Sequence, residues 1–369
     1  MSKVLLHTPD GVRDIYGKEC IDRNAVINNI HNKMKSFGYA EIETPTFEFF
    51  DVFAEEINAS DTKELYKFFD KEGNTLVLRP DFTPSIARCA SKVMLENGNP
   101  IRVCYEGNTF LNVSNLQGKL KENCNIGVEL MNDSSVYADA EAIALLIEAL
   151  KSSGLQDFQV SVGDADYYKG LCEEAGITPE TEEEIREQII GKNYFAAESI
   201  MREKNIPEKY SDLIIKVSEF IGSDDALDKA ISQVKNDRSI AAVNRLKELY
   251  KVLTLYGVEK YVSFDLSILS RFNYYTGVIF SAYTYGVGDA IAKGGRYDNL
   301  LGKYGKDAPA IGFSIVIDDL MSALYRQGIK VENGEEVETV TYTKETFEAA
   351  LKKARELRES GKNVVLKAE

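Results

Sequence analysis

Histidine is scarce in this 369-residue chain, with only His7 and His31, both near one end, and tryptophan is absent. That excludes a catalytic or metal centre assembled from histidines spread through a fold; a magnesium site made of carboxylates alone stays open. No apolar run approaches the roughly 18 residues of a membrane span. The stretch MSKVLLHTPDGVRDIYG has too short an apolar run, and no small-residue cleavage site, for a signal peptide. The five cysteines (Cys20, Cys89, Cys104, Cys124, Cys172) are odd in number, far apart and without a CxxC pair. They point to reduced thiols in a cytoplasmic protein, buried as small apolar residues. Basic residues are outnumbered 44 to 59, for a net charge of −15. A polyanion such as tRNA would need a locally basic surface against that field. Internal repeats and low-complexity tracts are missing too.

What is present is a chain long enough for two or three domains. Residues 18–37 carry Ile21, Ala25, Ile30, Met34 and Phe37 at helical spacing, with Gly38 as a stop. YAEIETPTFEFF is extended and punctuated by Pro45, and LYKFFDKEGNTLVLRP reads as a hairpin. DFTPSIARCASKVM starts a helix, with Thr83 as the N-cap and Pro84 at the first helical position. A helix is predicted over 135–152 and a strand in FQVSVGD. Residues 165–258 are helix-like and charged, without a strand pattern, as in an inserted helical subdomain. Strand character returns in YVSFDLSI and NYYTGVIFSAYTY, followed by the glycine-rich GGRYDNLLGKYG. AIGFSIVIDDLMSALYRQG reads as strand then helix. The acidic stretch 331–338 is a linker. Residues 339–369 read strand–helix–strand, too little to bury a core alone. Several antiparallel strands with helices before and between them predict an α+β fold.

IRVCYEG and KENCNIGVELM are two strands joined by a polar turn at Asn115–Gly118. In the second, Cys124, Ile126, Val128 and Leu130 share one face, while Asn125, Gly127 and Glu129 share the other. That polar face is either the floor of a pocket or a surface turned to solvent. Lys119 and Lys121 beside the turn read as solvated, with contact to a partner as the alternative.

FGYAEIETPTFE, LRPDFTPSIAR, the hairpin ending in IGVE, NYYTGVIF, GGRYDNL and AIGFSIVIDDL, in that order, resemble the catalytic core of histidyl-tRNA synthetases. The resemblance spans residues 1–325, with its blocks between about 5 and 325. It implies a class II synthetase fold, an antiparallel sheet flanked by helices, dimerising through its first motif. Residues 165–258 would then be an insertion, and 339–369 a reduced remnant of the anticodon-binding domain. Amino-acid activation needs positive charge around the phosphates of ATP. Where the pattern places arginines, this chain has Leu111, Ser270 and Asp319, and an acidic position is Val113. One carboxylate–phosphate contact at 4 Å costs on the order of 4 kcal/mol at an effective dielectric near 20. Arg271 is no substitute for Ser270, because a one-residue shift in an extended segment points to the opposite face.

The amino-acid half matches better. The positions that hold histidine in the resembled family read Asp81, Thr83, Asn125, Glu129 and Tyr275, with Asp81 and Asn125 each one methylene shorter than the usual residue. Carboxylates suit an ammonium or an imidazole N–H, and the hydroxyls add oriented hydrogen bonds; alternatively these residues are fossils of an ancestral pocket. Both losses, of the arginines and of a full anticodon domain, fit the histidyl-tRNA synthetase-like regulatory subunits of ATP phosphoribosyltransferase. The resemblance implies a non-catalytic, cofactor-free protein that binds itself as a dimer, free histidine as effector, and a short-form catalytic subunit, with neither tRNA nor membrane as a partner. A histidine-sensing module with another partner, and an active histidyl-tRNA synthetase, are the alternatives.

Overall fold

The computed structural model describes residues 7–54, 61–95, 98–113, 119–222, 224–270, 274–332 and 337–369. Helix α1 (Gly17–Ser36) buries Val26, Ile27, Ile30 and Met34 and leads through Gly38 into the short strand β1 (Ala40–Glu41). Strands β2 (Phe47–Phe49), β3 (Lys67–Phe69) and β4 (Thr75–Leu78) form a small antiparallel sheet, in the order β2-β4-β3, with α2 (Asp51–Ala54) between the first two. Then come α3 (Thr83–Val93), β5 (Ile101–Phe110), β6 (Glu122–Met131), α4 (Val136–Ser152) and β7 (Phe158–Asp164). The Ser135 hydroxyl caps α4 by accepting from the Ala138 amide.

The stretch up to residue 258 holds α5 (Ala165–Glu174), α6 (Pro179–Ile190), α7 (Tyr194–Glu203), α8 (Glu208–Lys216), the strand β8 (Ile221–Gly222), α9 (Asp224–Gln233) and α10 (Asp237–Tyr256). β8 departs from the all-helical expectation, and two residues are too few to show an alternation. Strands β9 (Val262–Asp265), β10 (Val278–Thr284), β11 (Ala292–Arg296) and β12 (Ala310–Val316) follow, then α11 (Ile317–Arg326). The chain ends in β13 (Val337–Tyr342), α12 (Phe347–Glu359) and β14 (Asn363–Ala368), whose two strands pair in parallel. Val340, Ala350, Ala354 and Val364 form a small core there.

The main sheet runs β1-β5-β6-β12-β11-β10-β7-β9-β8. It is mixed rather than purely antiparallel, because β1 pairs with β5, and β7 with β9, in parallel. Both parallel pairs join strands separated by long connections, the second by the helices α5–α10, which is what a parallel crossover requires. The face of β6 bearing Cys124, Ile126, Val128 and Leu130 enters the larger core with residues of α1, α4 and α10. Its opposite face lies under α3, beside a second core of Phe82, Ile86, Val103, Tyr105 and Tyr297. Of the two readings of that polar face, burial rules out a surface turned to solvent: Asn125 and Glu129 are both buried.

One capping expectation fails. Thr83 is the first residue of α3 rather than its cap, and its hydroxyl is committed elsewhere. Asp81 takes over the capping role, its Oδ1 accepting from the Phe82 and Thr83 amides at 2.7 and 3.4 Å. Cys104, Cys124 and Cys172 are buried and free, and burial pushes the Cys104 and Cys124 thiols up to about 11. Among the described residues no helix is long and apolar enough to cross a membrane.

Candidate functional site

Glu129 stands at the centre of the second face, 1% exposed. The Thr83 hydroxyl donates to its Oε1 at 2.7 Å, and the Tyr297 hydroxyl to its Oε2 at 2.5 Å. Two strands approach closely to make room for it. Gly312 on β12 pairs directly with Glu129, and a Cβ there would overlap both the carboxylate and the Val128 carbonyl. Gly127, two residues along β6, leaves the space that the Tyr105 hydroxyl occupies. Burial pushes the Glu129 carboxyl up to about 8; the hydrogen bonds from Tyr297 and Thr83 oppose the shift, and Asp81 adds to it.

Asp81 is the second acid. Its Oδ2 accepts from the Tyr274 hydroxyl at 3.0 Å. It keeps some surface open to the pocket, and desolvation still raises its carboxyl. The Tyr275 ring lies 4.8 Å from that of Tyr274, centroid to centroid, and packs against Gly295. Asp81, Thr83, Glu129 and Tyr275 are thus brought together. Asn125 shares the face, but its polar atoms are already used: Nδ2 donates to Thr109 Oγ1 (2.7 Å) and the Asn123 carbonyl (3.1 Å), and Oδ1 accepts from Ser314 (3.3 Å). The residues that sequence reasoning missed are Tyr105, Tyr274 and Tyr297. Tyr297 belongs to the GGRYDNL block, where an aromatic with a hydroxyl two residues after a glycine pair was the available signal. Among the described residues no lysine or arginine pairs with Asp81 or Glu129. The carboxylate chamber therefore holds two acids and a ring of hydroxyls, groups that accept hydrogen bonds from N–H donors.

The other end of the hairpin is built differently. Leu111 packs against the cluster of Phe53, Leu65 and Val77, and Val113 is buried. The Ser270 carbonyl accepts from Arg186 Nη1 at 2.7 Å; Arg271 and the turn at Asn115–Gly118, apart from Lys119 onward, lie outside the described residues. Asp319, in the first turn of α11, is partly buried, and its carboxyl is raised by that burial and by Asp289 and Asp318 nearby. Lys119 is exposed and within 3.5 Å of Asp289, while the Lys121 side chain packs against Gly11.

A sheet of this order, with a buried acid on the second strand of the hairpin and tyrosines around it, defines a class II synthetase-like core. The family model for histidyl-tRNA synthetase matches residues 11–320. A curated relative from Acetivibrio thermocellus, an ATP phosphoribosyltransferase regulatory subunit, is 40% identical over 361 residues, 98% of this chain and 86% of that protein. Another of the same name from Ruminiclostridium cellulolyticum is 39% identical over 97% of this chain and 85% of its own length. A crystal structure of an ATP phosphoribosyltransferase regulatory subunit/histidyl-tRNA synthetase from Bacillus halodurans aligns with a TM-score of 0.88 at 31% identity, covering 99% of this chain and 93% of that one. The chain belongs to the ATP phosphoribosyltransferase regulatory subunit family, built on the histidyl-tRNA synthetase fold.

Proposed function

We propose that this protein activates a short-form ATP phosphoribosyltransferase catalytic subunit and conveys histidine feedback to it, without catalysing aminoacylation itself. The observation that carries the reading is the pair of acids, Asp81 and Glu129, bonded by hydroxyls and with no cationic partner among the described residues. A histidine ammonium or imidazole N–H satisfies those acceptors and removes the desolvation penalty that an empty, ionised Glu129 carries. Leu111 in an apolar cluster and Asp319 where the resembled pattern has an arginine support the absence of ATP binding, because neither side chain neutralises phosphate charge. Feedback requires histidine to bind two assembly states unequally. We further infer self-association through the core, a cytoplasmic location and no tRNA partner.

Calorimetric titration of the chain with histidine and then ATP tests the pocket: heat with histidine and none with ATP is expected. Histidine-stimulated exchange between ATP and pyrophosphate would instead mark a working synthetase. Affinity capture from the native cell tests the partner, and recovery of no short phosphoribosyltransferase subunit overturns that part of the proposal.

A further inference from the structure

A cleft of about 260 Å³ opens on the same face of the sheet as the carboxylate chamber, lined among others by Lys169, Glu182, Arg186, Ser270, Tyr275 and Ile279. Tyr275 is common to both spaces. Its ring stands beside Tyr274 in the chamber, and its backbone carbonyl accepts from Lys169 Nζ at 2.9 Å. The two cations of the cleft are not equivalent. Arg186 is engaged, Nε with Glu182 (3.1 Å) and Nη1 with the Ser270 carbonyl (2.7 Å). Lys169 makes no ion pair among the described residues, and the Tyr275 carbonyl uses one of the three N–H bonds an ammonium offers. Burial also holds its pKa below the usual lysine range.

A free amino acid whose cationic groups sit between Asp81 and Glu129 brings a carboxylate with it. The chamber has only acids and hydroxyls to offer that group. We infer that Lys169 receives the α-carboxylate of the ligand, so that chamber and cleft are two halves of one site joined at Tyr275. The inference rests on the amino-acid reading above and adds to it the group that distinguishes an amino acid from its amine or alcohol. The lysine comes from α5, the first helix of the 165–258 stretch, so ligand binding would also tie that stretch to the sheet.

The test compares histidine with histidinol, which lacks the carboxylate, by calorimetry on the full chain and on Lys169→Met and Lys169→Arg. A charge-assisted contact predicts a preference of roughly 10- to 100-fold for histidine in the unaltered chain. Lys169→Met should bring histidine down to the histidinol level and leave histidinol unchanged, while Lys169→Arg keeps part of the preference. A preference that survives Lys169→Met overturns the assignment, as does an equal loss for both ligands in both variants, which means packing alone. If histidine binds the unaltered chain no better than histidinol, Lys169 fails and the chamber stands. If neither binds, the amino-acid reading and this inference fall together.

Discussion

The two ends of the β5–β6 hairpin meet opposite physical demands. Mid-strand, around Glu129, polar groups are buried and paired one by one: Thr83, Tyr297 and Gly312 each have a place dictated by a single carboxylate. At the open end, Leu111 is partly buried and Val113 buried as ordinary apolar residues, and the charges nearby, Asp319, Asp289, Lys119 and Lys293, form a loose group of mixed sign. Burying an ionisable group costs several kcal/mol unless it is well paired, on the order of the stability of a whole domain. On the function we propose, the acid kept at that cost meets a ligand, and the apolar residue where a resembling pattern has arginine marks a function given up.

The strongest way to break the comparison is at Gly312. Gly312→Ala forces a methyl into the Glu129 carboxylate and the Val128 carbonyl, so β12 and β6 must separate. We expect a loss of about 3 kcal/mol in urea unfolding, together with loss of histidine binding. Wild-type stability in that variant would mean the strands are less tightly apposed than described. Next is Glu129→Gln, which keeps the shape and removes the charge. Histidine affinity should fall by roughly 30-fold or more, since an amide cannot accept from Thr83, Tyr297 and a cation at once. Unchanged affinity in calorimetry would place the ligand elsewhere.

Much of this was legible in the sequence. Period-two alternation along Cys124–Leu130 gave the two faces of β6, and the order of short motifs gave the fold and four of the chamber's residues. Burial of the polar face was not legible, because alternation is the same whether one side meets water or α3. The internal hydrogen bonds of Asn125 were not legible for a related reason. Its partners, Thr109 and Ser314, come from neighbouring strands, so its commitment is set by tertiary register rather than by its own strand. Thr83 misled as a cap because a local hydroxyl–amide bond competes with a distant carboxylate, and here the buried acid takes the hydroxyl at one of its two oxygens. The parallel pairs of the sheet depend on connections that no strand encodes.

Acidity sharpens the contrast more gently. The Glu129 carboxyl is raised from 4.5 to about 8 in the folded chain, so the folded state holds a proton that the unfolded chain releases. The stability this proton contributes is full below pH 4.5, falls as pH rises, and is gone above about 8. The slope is at most roughly 1.4 kcal/mol per pH unit. Urea midpoints measured from pH 5 to 8 should decline more steeply in the unaltered chain than in Glu129→Gln. Saturating histidine should flatten the decline, because a bound cation favours the carboxylate. At pH 7 binding should therefore release protons, read as a heat that changes with the ionisation enthalpy of the buffer.

The smallest effect is expected at Leu111. Leu111→Arg restores in name the residue that the synthetase pattern has there, yet the side chain at this position is packed on Phe53, Leu65 and Val77. Arginine can leave that cluster by swinging its head to solvent with its stem still against the phenylalanine, so the expected cost is about 1 kcal/mol of stability. No ATP binding should appear in calorimetry, because one guanidinium does not restore the two other cations that the pattern has where Ser270 and Asp319 stand. If ATP did bind Leu111→Arg, the open end of the hairpin would still be a nucleotide site one residue short of working, and the contrast with the Glu129 end would be a matter of degree. Histidine affinity in the same variant should stay unchanged, since Leu111 contributes nothing to the chamber around Glu129.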